Sequence, residues 1–161
     1  MITEPLPVRV GRALRALGRT LALAESCTGG LLGHWLTDIP GSSEYFLGGI
    51  VAYSYDAKER LLGVHHDTLY GHGAVSRETA LEMALGARRA LGADYGLAIT
   101  GIAGPGGGLP DKPIGLTWLA LSGRDLELAE SRIWPGDRAA VKHQSAEAAL
   151  MLLLRIIEPP A

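Results

Sequence analysis

Lysine and cysteine are scarce in this chain. Lys58, Lys112 and Lys142 stand against twelve arginines in 161 residues, and the single cysteine is Cys27. One cysteine excludes an internal disulfide, which fits a reducing compartment, and the expected localisation is cytoplasmic. No run of basic residues occurs and the formal net charge is -2. The basic stripe of a nucleic-acid binder is therefore missing, and no nucleic-acid partner is expected. The N-terminal stretch MITEPLPVRV lacks the apolar region of a signal peptide. The longest apolar run, Ala146 to Ile157, is interrupted by Glu147 and Arg155. It is too short and too charged to span a bilayer, so no membrane association is expected. The length predicts one domain over residues 1–161, able to bury roughly 70% of its unfolded surface.

What is present is a series of apolar segments punctuated by small polar residues. Leu6, Val10, Leu14 and Leu17 recur at helical spacing, with Gly18 as a stop. Thr20 to Ala24 reads as a buried strand, followed by Glu25-Ser26-Cys27-Thr28-Gly29-Gly30 and a helix over Leu31 to Leu36. Phe46 to Tyr53 reads as a second strand, with Gly48 and Gly49 marking a bulge or a close backbone approach. Asp56 to Leu62 reads as a helix and His65 to Gly73 as a polar connector. Ser76 is a good N-cap for a helix over Arg77 to Leu91. Tyr95 to Thr100 is a third strand, ending in the glycine-rich GIAGPGGG, residues 101–108. Ile114 to Leu121 and Leu126 to Trp134 form a hairpin, and Asp137 starts a last helix that runs to Ile157. This order predicts an α/β fold, a three-layer α/β/α sandwich with a mixed, mostly parallel sheet of about five strands. The sheet edge and the apolar helices leave room for a homodimer.

The chemistry-bearing residues are few. There is no G-x-S-x-G elbow, and none of the five histidines sits in a catalytic or zinc-ligating motif. No metal site and no cofactor are expected. Serine needs a base before it becomes a nucleophile. A lysine can serve if burial lowers its pKa, whereas an arginine keeps its proton. In an arginine-rich chain, Lys58 just beyond a strand is suggestive, although a solvated lysine in a first helical turn has the same pattern. Ser26, Ser42 and Ser43 are all nucleophile candidates, and each also sits where serines cap helices or make turns. Cys27 is a thiolate candidate at a helix start or a small buried residue. GIAGPGGG ends in no Gly-Lys-Ser/Thr and is followed by no helix, so it is neither a Walker loop nor a dinucleotide fingerprint. Arg138 is placed to bind phosphate or to lie solvated on the surface.

Taken together, the segments AESCTGG (24–30), DIPGSSEYFLGGIVAYSYDAK (38–58), HGAVS (72–76), ADY (93–95), ITGIAGPGGG (99–108), KPIG (112–115) and PGDR (135–138) resemble the CinA C-terminal domain family, the nicotinamide-nucleotide amidohydrolases. The resemblance covers almost the whole chain, about Leu6 to Ile157. It implies hydrolysis of the carboxamide of nicotinamide mononucleotide (NMN) to nicotinic acid mononucleotide and ammonia, in pyridine-nucleotide salvage, by a serine/lysine mechanism. By motif, it implies Ser43 as nucleophile and Lys58 as base, with Ser26 and Tyr53 assisting. It implies a nucleotide site at Thr28, Gly29, Gly30, Thr100, Gly101 and Gly104, with Arg138 at the phosphate. Tyr55 departs from the asparagine common after the Tyr-Ser of the motif. Larger relatives carry a further N-terminal domain resembling molybdopterin-binding proteins, whose activity does not transfer to these residues. The competing expectation is a non-catalytic nucleotide-binding module, or a competence- or damage-related interaction domain, on the same fold.

Overall fold

The computed structural model of the protein describes residues 3–160. The elements run α1 (Leu6–Leu17), β1 (Leu21–Glu25), α2 (Leu31–Thr37), a 3-10 turn (Ser42–Glu44), β2 (Phe46–Val51), α3 (Tyr55–Leu62), α4 (His66–His72), α5 (Arg77–Leu91), β3 (Tyr95–Gly101), β4 (Leu116–Gly123), β5 (Leu126–Ile133) and α6 (Arg138–Ile157). The sheet order is β2-β1-β3-β4-β5. β1 pairs in parallel with both β2 and β3, while β3–β4 and β4–β5 are antiparallel. Reversing twice returns β5 to the direction of β3, so every strand but β4 points the same way. The three-layer sandwich with a mixed, mostly parallel sheet is therefore the observed fold.

Alternation along the strands separates two cores, because successive side chains leave a strand on opposite faces. Leu21 and Leu23 of β1, Leu97 and Ile99 of β3, and Leu119 and Leu121 of β4 face α1, α2 and α6. Ala22, Ala24, Ala98 and Ala120 point to the other face, toward α3, α4 and α5. The alanines let α5 settle close to the strands. The fit leaves no space for a Cβ at Gly96, which lies against the Ala84 carbonyl, or at Gly86, which lies against the Leu62 carbonyl. On the opposite face the long leucines fill the wider gap under α6.

The helix ends follow local chemistry. Ser76 Oγ accepts from the Thr79 N–H at 3.2 Å, and Asp137 Oδ1 accepts from the Ala140 N–H at 2.9 Å. Gly18 closes α1 in the left-handed conformation, φ 61°. The bulge expected near Gly48 is present: the β1–β2 register slips at Leu47, between the Leu21–Phe46 and Ala22–Gly48 pairs.

One expectation is corrected. His65 to Gly73 is not a bare connector but contains the helix α4. Its apolar signal is a single residue, Leu69, which is buried against α5. The His66 and Tyr70 rings stack with centroids 4.2 Å apart. A helix of seven residues with one core contact shows no readable periodicity.

The topology also fixes where a ligand can enter. From β1 the chain passes through α2 to β2 on one side, then crosses through α5 to β3 on the other. Such a switch point opens a crevice beyond the carboxyl ends of the strands. Ser26 follows β1 at that crevice, and Thr100 and Gly101 end β3 there.

Candidate active site

Lys58 lies on the first turn of α3, beyond the carboxyl end of β2, and is 1% exposed. Ser54 Oγ caps this helix by accepting from the Ala57 N–H at 3.0 Å. The cap directs α3 so that the Lys58 side chain runs back under the strand ends. Nζ then lies 3.0 Å from Ser26 Oγ, 2.9 Å from the Ala52 carbonyl oxygen and 3.0 Å from the Tyr53 carbonyl oxygen. None of these partners is a carboxylate. Burial, without a compensating negative charge, lowers the lysine pKa from 10.5 to about 8.

The three partners have a chemical consequence. An ammonium donates three hydrogen bonds and accepts none. Once neutral, the amine keeps two N–H donors for the two carbonyls, and its lone pair is left facing Ser26 Oγ. The serine hydroxyl can then donate to that lone pair. Two backbone carbonyls thus aim the basic electron pair at the one hydroxyl within reach.

Ser26 is 7% exposed and borders a cleft of about 190 Å³. The cleft is lined by Ser26, Lys58, Cys27, Thr100, Tyr53 and Arg138, among others. Thr100 is buried, and its Oγ1 donates to the Ala74 carbonyl at 2.8 Å. This bond pins the chain entering α5 to the end of β3. Arg138, the first residue of α6, donates from Nη1 to the Gly104 carbonyl at 2.8 Å and from Nη2 to the Tyr53 hydroxyl at 2.9 Å. A single guanidinium therefore ties together the end of β2, the loop after β3 and the start of α6. Cys27 is 5% exposed, and burial pushes its thiol up to about 11. It remains protonated at neutral pH and is no thiolate nucleophile.

Ser43 is not part of this arrangement. It is exposed, in the 3-10 turn that precedes β2, whereas Lys58 lies past the opposite end of that strand. Six strand residues at about 3.3 Å each separate the two edges by about 20 Å. Within one chain Lys58 therefore reaches Ser26 and not Ser43, so the fold of a single chain does not bring the expected Ser43–Lys58 pair together. Thr28, Gly29 and Gly30 also leave the cleft. Thr28 Oγ1 donates to Glu25 Oε1 at 2.7 Å, and the two glycines turn the chain into α2 with φ of 61° and 102°. Gly101 does border the cleft, but its lack of a side chain serves packing: a Cβ would lie 2.7 Å from Thr117 Oγ1 and 2.9 Å from the Leu116 carbonyl oxygen.

Glu25 was missed at the level of sequence. It is 2% exposed, and it accepts from the Thr28 hydroxyl, from the Leu32 N–H at 2.9 Å and from the Gly33 N–H at 3.0 Å. The carboxylate thereby satisfies free N–H groups in the first turn of α2. It clamps the Ser26 turn between strand and helix. An acid directly before a Ser-x-Thr-Gly-Gly turn was the available signal. The Ala52 and Tyr53 carbonyls carried no signal, since every residue has one.

The family described as CinA C-terminal domain matches residues 3–157. The chain belongs to this family. A nicotinamide-nucleotide amidohydrolase, PncC, of Escherichia coli K12 is 46% identical over 149 residues, covering 92% of this chain and 90% of that protein. A CinA-like protein of Gloeothece citriformis is 48% identical over 94% of this chain and 37% of its own length. The chain spans 27% to 38% of the length of seven larger curated relatives. Among solved structures, the competence/damage inducible protein CihA of Agrobacterium tumefaciens superposes with a TM-score of 0.90 at 41% identity, covering 96% of this chain and 98% of that one. The family's fold thus extends across nearly all of this chain. Among the described residues no helix is long and apolar enough to cross a membrane, and no group of three or more His, Cys, Asp or Glu could hold a metal ion.

Proposed function

We propose that this protein hydrolyses the carboxamide of NMN to nicotinic acid mononucleotide and ammonia, with Ser26 as nucleophile and Lys58 as base. The reaction would serve pyridine-nucleotide salvage. The observation that carries the reading is the 3.0 Å contact between a buried lysine of lowered pKa and a serine hydroxyl at the mouth of a cleft. The 46% identity to the Escherichia coli amidohydrolase over 90% of that enzyme supports the substrate class.

In this mechanism neutral Lys58 takes the Ser26 proton as Oγ bonds to the carboxamide carbon, and the carbonyl π electrons move to oxygen. The oxyanion collapses, the C–N bond breaks, and the lysine proton leaves with ammonia. Water then attacks the ester, Lys58 accepts its proton, and the acid departs as Ser26 is reprotonated. Donors aimed at the oxyanion are worth about 3 kcal/mol each. Tyr53 and Arg138, joined at the mouth of the cleft, orient the ligand, and Arg138 offers its charge to the phosphate. Thr100 shapes the cleft wall. Substrates without the phosphate lose rate as well as affinity, since remote binding energy orients the reacting amide.

The test is ammonia release from NMN by EDTA-treated protein, compared with free nicotinamide and the dinucleotide. Binding of NMN without release would favour a non-catalytic nucleotide module instead.

A further inference from the structure

We infer that an arginine-lined crevice at the amino ends of β1 and β3 is a second ligand site, one that takes a phosphate group. The crevice holds about 350 Å³, against 190 Å³ for the cleft at Ser26. It therefore falls in the size range of small-molecule sites, roughly 300 Å³ and above. Arg19, Arg88 and Arg124 line it, together with Asp94, Tyr95 and Asp125. The two sites lie at opposite ends of the same strands. Thr20 and Asp94 directly precede β1 and β3, whereas Ser26 follows β1 and Thr100 stands near the end of β3. The five residues of β1, at about 3.3 Å each, hold the two sites about 17 Å apart.

The crevice carries more cation than its own acids neutralise. Three guanidiniums face two carboxylates, an excess of one positive charge. Asp94 is fully engaged: Oδ1 accepts from Arg19 Nη1 at 3.2 Å, and Oδ2 accepts from the Thr20 N–H at 2.9 Å and from the Thr20 hydroxyl at 3.1 Å. Its backbone carbonyl accepts from Arg88 Nε at 3.1 Å. That bond orients the Arg88 guanidinium while its two Nη groups have no partner among the described residues. Arg124 sits in the two-residue turn of the β4–β5 hairpin. Among the described residues the one ion pair in the crevice is Arg19–Asp94, so Arg88 and Arg124 are left to meet an anion. A guanidinium presents a fork of donors that matches the oxygens of a phosphate. Ser122 adds a further donor. Its hydroxyl is buried without a hydrogen-bond partner, a state that buried polar groups rarely keep. Ser122 pairs across the sheet with Gly96, where a Cβ would lie 2.8 Å from Arg88 Cβ. Paired residues share a face of the sheet, so Ser122 stands beside Arg88.

Tyr95 bears on what the phosphate is attached to. Its half-buried side chain lines the crevice and also an adjoining apolar groove formed by Ala13, Ala16, Leu17, Ile156 and Ile157. Gly123 gives the ring its room, since a Cβ there would lie 3.3 Å from Tyr95 Cε1. A phosphate ester with a flat apolar body, such as a mononucleotide, can set its phosphate on Arg88 and Arg124 and its body against Tyr95. Free phosphate can use the arginines alone. The crevice shares no lining residue with the Ser26 cleft, so the inference stands apart from the amidohydrolase reading.

Amide chemical shifts of the isotope-labelled full chain, titrated separately with inorganic phosphate, adenosine monophosphate (AMP) and adenosine, test the site. Both phosphate probes should shift the Gly123, Arg124 and Asp125 amides saturably, and adenosine should not. Tighter binding of AMP than of phosphate assigns the ester as the occupant, and equal binding assigns the free ion. Arg124→Glu, at an exposed turn, should weaken binding about tenfold or more, the usual effect of losing a charge-assisted hydrogen bond, with an unchanged far-UV circular dichroism spectrum. Asp125→Asn removes the acid that Arg19 does not engage and should tighten binding. Because the guanidinium of the other cleft also attracts phosphate, Arg138→Met is the control, and the hairpin shifts should persist in it. No saturable hairpin shift with either phosphate probe overturns the site. So do adenosine binding as tight as AMP, an undiminished affinity in Arg124→Glu, a weakened one in Asp125→Asn, or hairpin shifts that vanish in Arg138→Met.

Discussion

The pH dependence of turnover follows from one number, the Lys58 pKa of about 8. At pH 7 a lysine titrating at 10.5 is neutral in about one molecule in 3,000, and one titrating at 8 in about one in ten. Burial thus raises the supply of the base about 300-fold. The ratio kcat/KM, which reports groups of the free enzyme, should climb about tenfold per pH unit below 8 and level off above it. Lys58→Met keeps the bulk and removes the base, and should lose about a thousandfold or more, since a nucleophile and its base fail together. Lys58→Arg should not recover the rate, because a guanidinium holds its proton. Continuous measurement of ammonia over the pH range decides this. A flat profile, a plateau reached well below pH 7, or a Lys58→Met enzyme with wild-type rate would refute the reasoning. The same group predicts stability. The unfolded chain holds the lysine proton up to about 10.5, while the folded chain releases it near 8. Between those values the unfolded state binds more protons, so stability rises with pH across that window. Denaturant titrations should show this rise in the wild type relative to Lys58→Met.

Other substitutions probe the frame around the pair. Glu25→Ala leaves the Thr28 hydroxyl and the Leu32 and Gly33 N–H groups without their acceptor. It should cost about 3 kcal/mol or more in denaturant unfolding and lower turnover by displacing Ser26; an unchanged midpoint would contradict the clamp. Gly11→Ala should destabilise α1 although alanine is the better helix former by about 1 kcal/mol. A Cβ there would lie 2.8 Å from Tyr45 Cζ, and Tyr45 is fully buried. A thermal melt at or above the wild type would show that Tyr45 can move aside. Tyr53→Phe removes the acceptor of the Arg138 bond and should raise KM for NMN more than it lowers kcat, as steady-state kinetics will show.

Sequence pattern carried the fold because the cores are strongly alternating. The leucines of β1, β3 and β4 on one face and the alanines on the other are legible as period-two patterns, and the caps at Ser76 and Asp137 mark helix starts directly. α4 escaped because a single buried leucine makes no period. At the site, Lys58 was legible as a rare lysine past a strand, and Thr100, Tyr53 and Arg138 as motif residues. What could not be read was the distance between them. Ser26 and Ser43 both lie in small-residue turns, and only the parallel pairing of β1 with β2 puts one beside Lys58 and the other at the far edge of the sheet. Glu25 and the Ala52 and Tyr53 carbonyls act through hydrogen bonds that exist only once the strands are side by side.

In the proposed mechanism Lys58 activates Ser26 and not Ser43. Ammonia release from NMN by single-site variants tests it most directly. Ser26→Ala should bring the rate to the background of the uncatalysed reaction, and Ser43→Ala should retain turnover of the wild-type order. A Ser26→Ala protein that still releases ammonia, beside a silent Ser43→Ala, would contradict the account.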